Sequence, residues 1–323
     1  MNILELIGRT DLLFESDISS RNNELAELVS GSRFLVIGGA GFVGSNLIKQ
    51  MVYKTKFQII SIDNYTSGKK KNHIKDKRVK YINQHTKNIF KILQPYKNKI
   101  KTIFHFGEFA RIYQSFSHIN DCIDSNIIGT QAVFNYCLKN KVKLIYSATS
   151  ASLGNKGKDQ NLSPYAFTKA KNLEMLENLK KWFNFKYEVI YFYNVYGPKQ
   201  IGTGNMATVI GIFENQFNNK KPLTIVKPGT QTRRFTHIND TVDACFHAWK
   251  KNKCRHYTIS HKNSYTVLQV ARMFNGKVKF LPKRPGERYA SALTSINLSN
   301  KVFKKFGKID LKKYIENIVK KSL

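Results

Sequence analysis

At 323 residues the chain has room for about two domains, or one large α/β unit, at roughly 150 residues per domain. Its 41% hydrophobic residues, 19 Gly and 7 Pro exclude collagen-like, low-complexity and wholly disordered readings. A net charge of +33, from 54 Lys and Arg against 21 Asp and Glu, calls for an anionic partner: nucleic acid, an anionic membrane surface or an acidic small substrate.

The first 31 residues run against that balance, with Glu5, Asp11, Glu15, Asp17, Glu24 and Glu27 facing only Arg9 and Arg21. These acidic residues interrupt any apolar core of a secretory signal. No apolar run in the chain approaches the ~18–20 residues that span a bilayer, so a cytoplasmic protein is expected. From Arg33 on, short apolar runs alternate with longer amphipathic stretches, the signature of βα units around a parallel sheet. Five buried strands are expected at 34–37, 57–62, 102–106, 144–147 and 189–192, with helices at 42–54, 87–95, 119–139 and 165–182. Beyond residue 195 the pattern loosens into short helical segments at 239–250, 266–274 and 310–322, which reads as a smaller second lobe. The basic residues are mostly scattered Lys without aromatic interleaving or a basic tail. That argues against specific nucleic-acid binding and leaves room for weak contact with an anionic membrane. Cys122, Cys137, Cys245 and Cys254 have no CxxC spacing and are expected as free thiols, and the histidines show no paired ligand spacing, so no metal is implied.

The first expected strand runs into Gly38-Gly39-Ala40-Gly41-Phe42-Val43-Gly44. Glycines at such a turn remove the Cβ atoms that would hold a pyrophosphate away from backbone N–H groups and the following helix N-terminus. Asp63 closes the second strand 19 residues beyond Gly44, followed by Asn64. A carboxylate there accepts from adenine-ribose hydroxyls and repels a 2′-phosphate, so NAD is expected over NADP, although Lys69-Lys70-Lys71 lie nearby. A second constellation is Tyr165 and Lys169 at the start of an expected helix, where i, i+4 spacing puts phenol and ammonium on one face. The nearby cation favours the phenolate and suits Tyr165 to act as a base. Thr149 lies just past the end of the fourth expected strand, the edge at which open parallel sheets bind ligands.

Over about residues 32–310 the sequence resembles the extended short-chain dehydrogenase/reductase family, in its nucleotide-sugar epimerase/dehydratase branch. The likeness rests on motifs in order: the glycine turn, Asp63, His105-Phe106-Gly107, Asn126-Ile127-Ile128-Gly129-Thr130, Ser147-Ala148-Thr149, the Tyr165/Lys169 pair, Tyr193-Asn194-Val195-Tyr196-Gly197-Pro198 and Gly229 to Phe235. It implies an α/β fold: an N-terminal extension over 1–31, an NAD-binding Rossmann-type doubly wound parallel sheet over 32–192 and a nucleotide-sugar lobe over 193–323, with interleaved boundaries. The extension itself lies outside the likeness, though Glu5 to Arg9 looks like the lead-in of some polysaccharide-biosynthesis dehydratases. By the same likeness Gly38, Gly41, Phe42, Val43, Gly44, Asp63, Asn64 and Lys169 would hold NAD. Tyr165 would be the base, Lys169 the residue that acidifies it, and Thr149 the hydroxyl that bonds the sugar 4-OH. Asn194, Arg233 and Arg284 would hold the diphosphate of a nucleotide-diphosphate sugar, and a homodimer would form through the helices at 119–139 and 165–182.

Several positions depart from the family. Gln84 to Asn88 lack the acidic residue that reaches the adenine, Arg234 stands where the family often has Asp, and Glu108 and Arg111 replace small residues. The last two either form a local ion pair or lie beside the sugar. Ser150 and Ala151 follow Thr149 where dehydratases of this kind carry Asp-Glu and decarboxylases keep a Glu at the second place. The expected activity is therefore an NAD-dependent 4-epimerase, with a 4,6-dehydratase or ketosugar reductase, or a non-catalytic binding protein, as alternatives.

Overall fold

Strand-forming runs such as Phe34-Leu35-Val36-Ile37 are apolar at every position because both faces of the sheet are covered, and in the computed structural model they are fully buried. The structure describes residues 33–96, 98–151, 160–250, 254–286 and 306–322. The expected N-terminal extension lies outside the described residues, as do Glu287 and Arg288 beyond Arg284.

Seven parallel strands form one sheet. The five expected strands are β1 (Arg33–Ile37), β2 (Gln58–Asp63), β4 (Ile100–His105), β5 (Lys143–Thr149) and β6 (Tyr187–Phe192). Two edge strands extend them, β3 (Val79–Asn83) and β7 (His256–Thr258), giving the order β7-β6-β5-β4-β1-β2-β3. β3 is only half-buried and carries Lys and Asn, so it lacks the continuous apolar run that marks an inner strand.

Helices cover both faces. On one, Val133, Phe134 and Cys137 of α2 (Thr130–Lys139) and Leu173 and Leu176 of α3 (Pro164–Phe183) pack on Leu35, Ile103, Leu144 and Tyr146. On the other, Leu47, Ile48 and Met51 of α1 (Phe42–Lys54) share a core with Val242 and Cys245 of a later helix, Ile238–Lys250. That helix and β7 come from the C-terminal half of the chain yet pack on and extend the same sheet. A third cluster, with Phe213 of α4 (Val209–Asn218) and Leu223, Phe235, Val270, Phe274 and Ile315, forms the core of the smaller lobe around three two-stranded pairs.

The stretch expected as one helix over 119–139 is a helix at Ile119–Ile123, a π-helical segment at Asp124–Gly129 and then α2. The wider turn lets Asn126 sit fully buried, its amide bonding Phe109 at the loop after β4 and Thr168 on α3. All four cysteines are free thiols, three of them buried.

Candidate active site

A cleft of about 630 Å³ opens at the carboxyl ends of the strands, where the chain crosses from β1, β2, β4, β5 and β6 into loops and helices. Its cofactor end is built by the glycine turn. Gly38 has φ +82, a conformation that favours glycine, and a Cβ on it would come within 2.8 Å of the Gly107 amide nitrogen. A Cβ on Gly44 would stand 2.2 Å from the Gly38 carbonyl oxygen. Gly41 differs: the nearest atom its Cβ would meet among the described residues is the Gly38 carbonyl oxygen, at 3.2 Å, and it lines the cleft. Packing therefore demands the first two glycines, whereas the third leaves space for a ligand to touch the backbone.

Gly41 is also the N-cap of α1 and offers no side-chain acceptor, and the first helical turn holds no acidic residue. Gly41, Phe42, Val43 and Gly44, the residues of that helix start, all line the cleft. Uncapped N–H groups at the positive end of a helix fit a pyrophosphate. Asp63, at the end of β2, accepts from the Ala40 amide at 2.9 Å and the Tyr65 amide at 2.8 Å, tying the glycine turn to the second strand. Burial raises its pKa, and the amide bonds pull the other way. Each carboxylate oxygen keeps a lone pair for a ribose hydroxyl. Asn64 lines the cleft but is exposed, its Oδ1 taken by Thr66. His85, held 3.2 Å from Asp124, lines it near the end of β3. Lys69, Lys70 and Lys71 are exposed and do not line the cleft. These residues fit a dinucleotide.

The catalytic end is carried by β5 and α3. Ser163 caps α3 by accepting from the Ala166 amide at 3.1 Å, and Pro164 opens the first turn, which fixes the helix start beside the cleft. The helix then buries Tyr165, Lys169, Asn172, Leu173 and Leu176 along one stripe. Thr149 ends β5, its Oγ1 accepting from the Ala151 amide at 3.1 Å. Thr149, Tyr165, Lys169 and Asn194, far apart in sequence, all line the same cleft. Asn194, held at φ +35, donates to the Arg234 carbonyl at 2.8 Å. Arg233 and Arg284 do not line the cleft: Arg233 is buried with Nη1 on the Thr232 carbonyl, and Arg284 lies over the Tyr113 ring.

Glu108 and Arg111 do not pair with each other. Glu108 forms an ion pair with Lys169, whose Nζ also donates to the Ser147 carbonyl at 2.5 Å, and both side chains are buried. The other oxygen of Glu108 accepts from Tyr146 at 3.0 Å, Thr130 at 3.1 Å and Asn172 at 3.3 Å. Burial lowers the Lys169 pKa while Glu108 raises it, and burial lifts Tyr146 well above an ordinary phenol. His105, bonded to Thr130, is pushed down to about 4 by burial, so it is neutral at working pH. The one signal in sequence was a carboxylate directly after a buried strand, which names no partner.

The model of the NAD dependent epimerase/dehydratase family matches residues 34–260. A Bacillus subtilis protein described as an uncharacterized UDP-glucose epimerase is 28% identical over 229 residues, 65% of this chain and 70% of that one. A Methanocaldococcus jannaschii protein described as a putative UDP-glucose 4-epimerase is 26% identical over 88% of this chain and 96% of its own length. Among solved structures, UDP-glucose 4-epimerase of Thermotoga maritima with UDP-glucose shares the fold at TM-score 0.80 and 23% identity, covering 89% of this chain and 97% of that one. UDP-glucuronic acid 4-epimerase of Bacillus cereus does so at TM-score 0.78 and 23% identity, over 90% and 100%.

Proposed function

The chain belongs to the NAD dependent epimerase/dehydratase family, and on that footing we propose that it is a nucleotide-sugar 4-epimerase. NAD, when bound along the glycine turn and Asp63, supplies the two-electron acceptor for sugar C4. Tyr165 takes the proton of the 4-hydroxyl as that carbon is oxidised, and returns it after the ring has presented its other face. Thr149 holds the hydroxyl at the end of β5, Lys169 fixes the polar floor beneath it, and Asn194 steadies the diphosphate side. Arg233 and Arg284 are assigned to the diphosphate on the family resemblance alone.

The observation that carries epimerisation over elimination or decarboxylation is the set of carboxylates. Ser150 and Ala151 follow Thr149, and neither abstracts a C5 proton at a useful rate. Among the described residues lining the cleft the carboxylates are Asp63, Glu108, Asp121 and Asp124. Asp63 sits at the cofactor end, Glu108 is closed into its pair with Lys169, Asp121 meets His118 and Asp124 meets His85 and Lys87. With each of these carboxylates held by a partner or at the cofactor end, return at C4 is the course the described residues favour.

Incubation with UDP-, GDP- and dTDP-hexoses should yield a C4-inverted sugar of unchanged mass; a product lighter by one water or one carbon dioxide overturns the reading. Tyr165→Phe should still bind NAD and lose about a hundred- to ten-thousand-fold in kcat.

A further inference from the structure

Among the described residues, one cation of the cleft, Arg111, meets no carboxylate. Arg111 lies in the loop after β4, half-buried and lining the cleft. Its Nη1 donates to the Ala110 carbonyl at 2.7 Å, its Nη2 donates to the Met206 carbonyl, and its Nε is buried without an acceptor. Both partners are neutral. The cleft's described carboxylates are committed elsewhere, as described above; burial lowers the Arg111 pKa, and Tyr165, which lines the same cleft, pulls it the other way. Removing a charge from water costs free energy that two carbonyls repay in part, and a guanidinium stays charged regardless. Its five N–H groups, two of them used, leave a fork that suits a planar two-oxygen acceptor.

Position selects which anion completes the site. If Tyr165 acts at C4, a guanidinium beside it reaches the substituents on C3 and C5, whereas the diphosphate hangs from C1 across the ring. We propose that Arg111 is a specificity-determining residue that binds a carboxylate carried next to C4, making the substrate an acidic sugar nucleotide. The proposal rests on the reading of Tyr165 as the base at C4. A uronate supplies this group at C6, and a 3-O-lactyl sugar of the muramic type supplies it from C3. The ion pair also keeps the carboxylate charged and solvated by protein, which suits a course that returns the sugar intact.

The test is equilibrium binding to the NAD-loaded protein, by calorimetry, of UDP-glucose, UDP-glucuronate and UDP-N-acetylmuramate. At least one acidic ligand should bind about 10- to 100-fold more tightly than UDP-glucose, and the arm that wins identifies which carboxylate is read. Arg111→Met should erase that advantage and Arg111→Lys, which keeps the charge but not the fork, should retain part of it. Arg111→Gln, able to keep a donor to the Met206 carbonyl, replaces the Met variant if that one does not fold. Equal or unmeasurable affinity for all three ligands in the unmodified protein overturns the proposal, as does an advantage that survives Arg111→Met. An acidic ligand that binds tightly through Arg111 but is recovered without inversion at C4 supports the carboxylate site and refutes the epimerase reading instead.

Discussion

A lysine and a carboxylate taken out of water together cost several kcal/mol per ion, by order of magnitude, unless the remaining donors and acceptors are satisfied. Around Glu108 they are: Lys169 takes one oxygen, and Tyr146, Thr130 and Asn172 donate to the other. Removing the carboxylate strands the ammonium, at about 3–5 kcal/mol for a buried pair broken on one side. The pH dependence has a definite sign. Burial lowers Lys169 and Glu108 holds it up, so in Glu108→Gln its folded value falls further below that of an exposed lysine. Between those two values the unfolded chain binds more protons than the folded one, and stability rises with pH. The deficit of Glu108→Gln should therefore be largest at pH 7 and shrink toward about pH 10, read by urea unfolding at both. A deficit of equal size at both would show that Lys169 is not the group left unpaired. The glycine turn, Asp63 and the Tyr165/Lys169 spacing were legible in sequence because each is a local geometry, fixed within a turn or one helix face. The Lys169 partner was not, because 61 residues separate it from Glu108 and only the folded chain brings the loop after β4 against α3.

Whole elements show the same division. Inner strands such as β1 and β5 announce themselves by unbroken apolar runs, while β3, with its exposed lysine and asparagine, joins the sheet through register with β2. The π-helical segment is likewise invisible to a 3.6-residue period, since it widens one turn inside a pattern that otherwise reads as helix. The helices of this face also carry an unusual outer surface. Ile119, Ile123 and Ile128 are 46%, 41% and 51% exposed, and Phe167 on the neighbouring α3 is 44% exposed, which leaves an apolar stripe where charged residues would otherwise face water. The expected homodimer would cover this stripe with its counterpart from a second copy, giving a two-fold, self-complementary bundle. Light scattering should find a dimer, and Ile123→Asp with Phe167→Asp should convert it to a folded monomer. A monomeric parent protein at micromolar concentration, or a double variant that still dimerises, would place the interface elsewhere.

At the scale of the whole molecule the +33 charge has to be reconciled with a ligand that contacts only a few residues. The fold's large cores are apolar and most of the described lysines lie at the surface, so the charge is not what packs the chain. Its effect reaches outward, as a long-range positive field around a cleft whose substrates under the proposed function carry a diphosphate. Such a field raises the rate of encounter with an anion without altering the chemistry that follows. Screening separates the two: the Debye length falls from about 30 Å at 0.01 M salt to about 10 Å at 0.1 M. Across that range kcat/KM for a nucleotide sugar should fall several-fold while kcat stays constant, provided encounter contributes to the rate. Duplex DNA senses the same field and is bound through it alone in this reading, so its binding should be weak and vanish over the same interval. A kcat/KM indifferent to salt would mean the charge does not steer the substrate, and DNA affinity persisting at physiological salt would mean that it serves a nucleic acid instead.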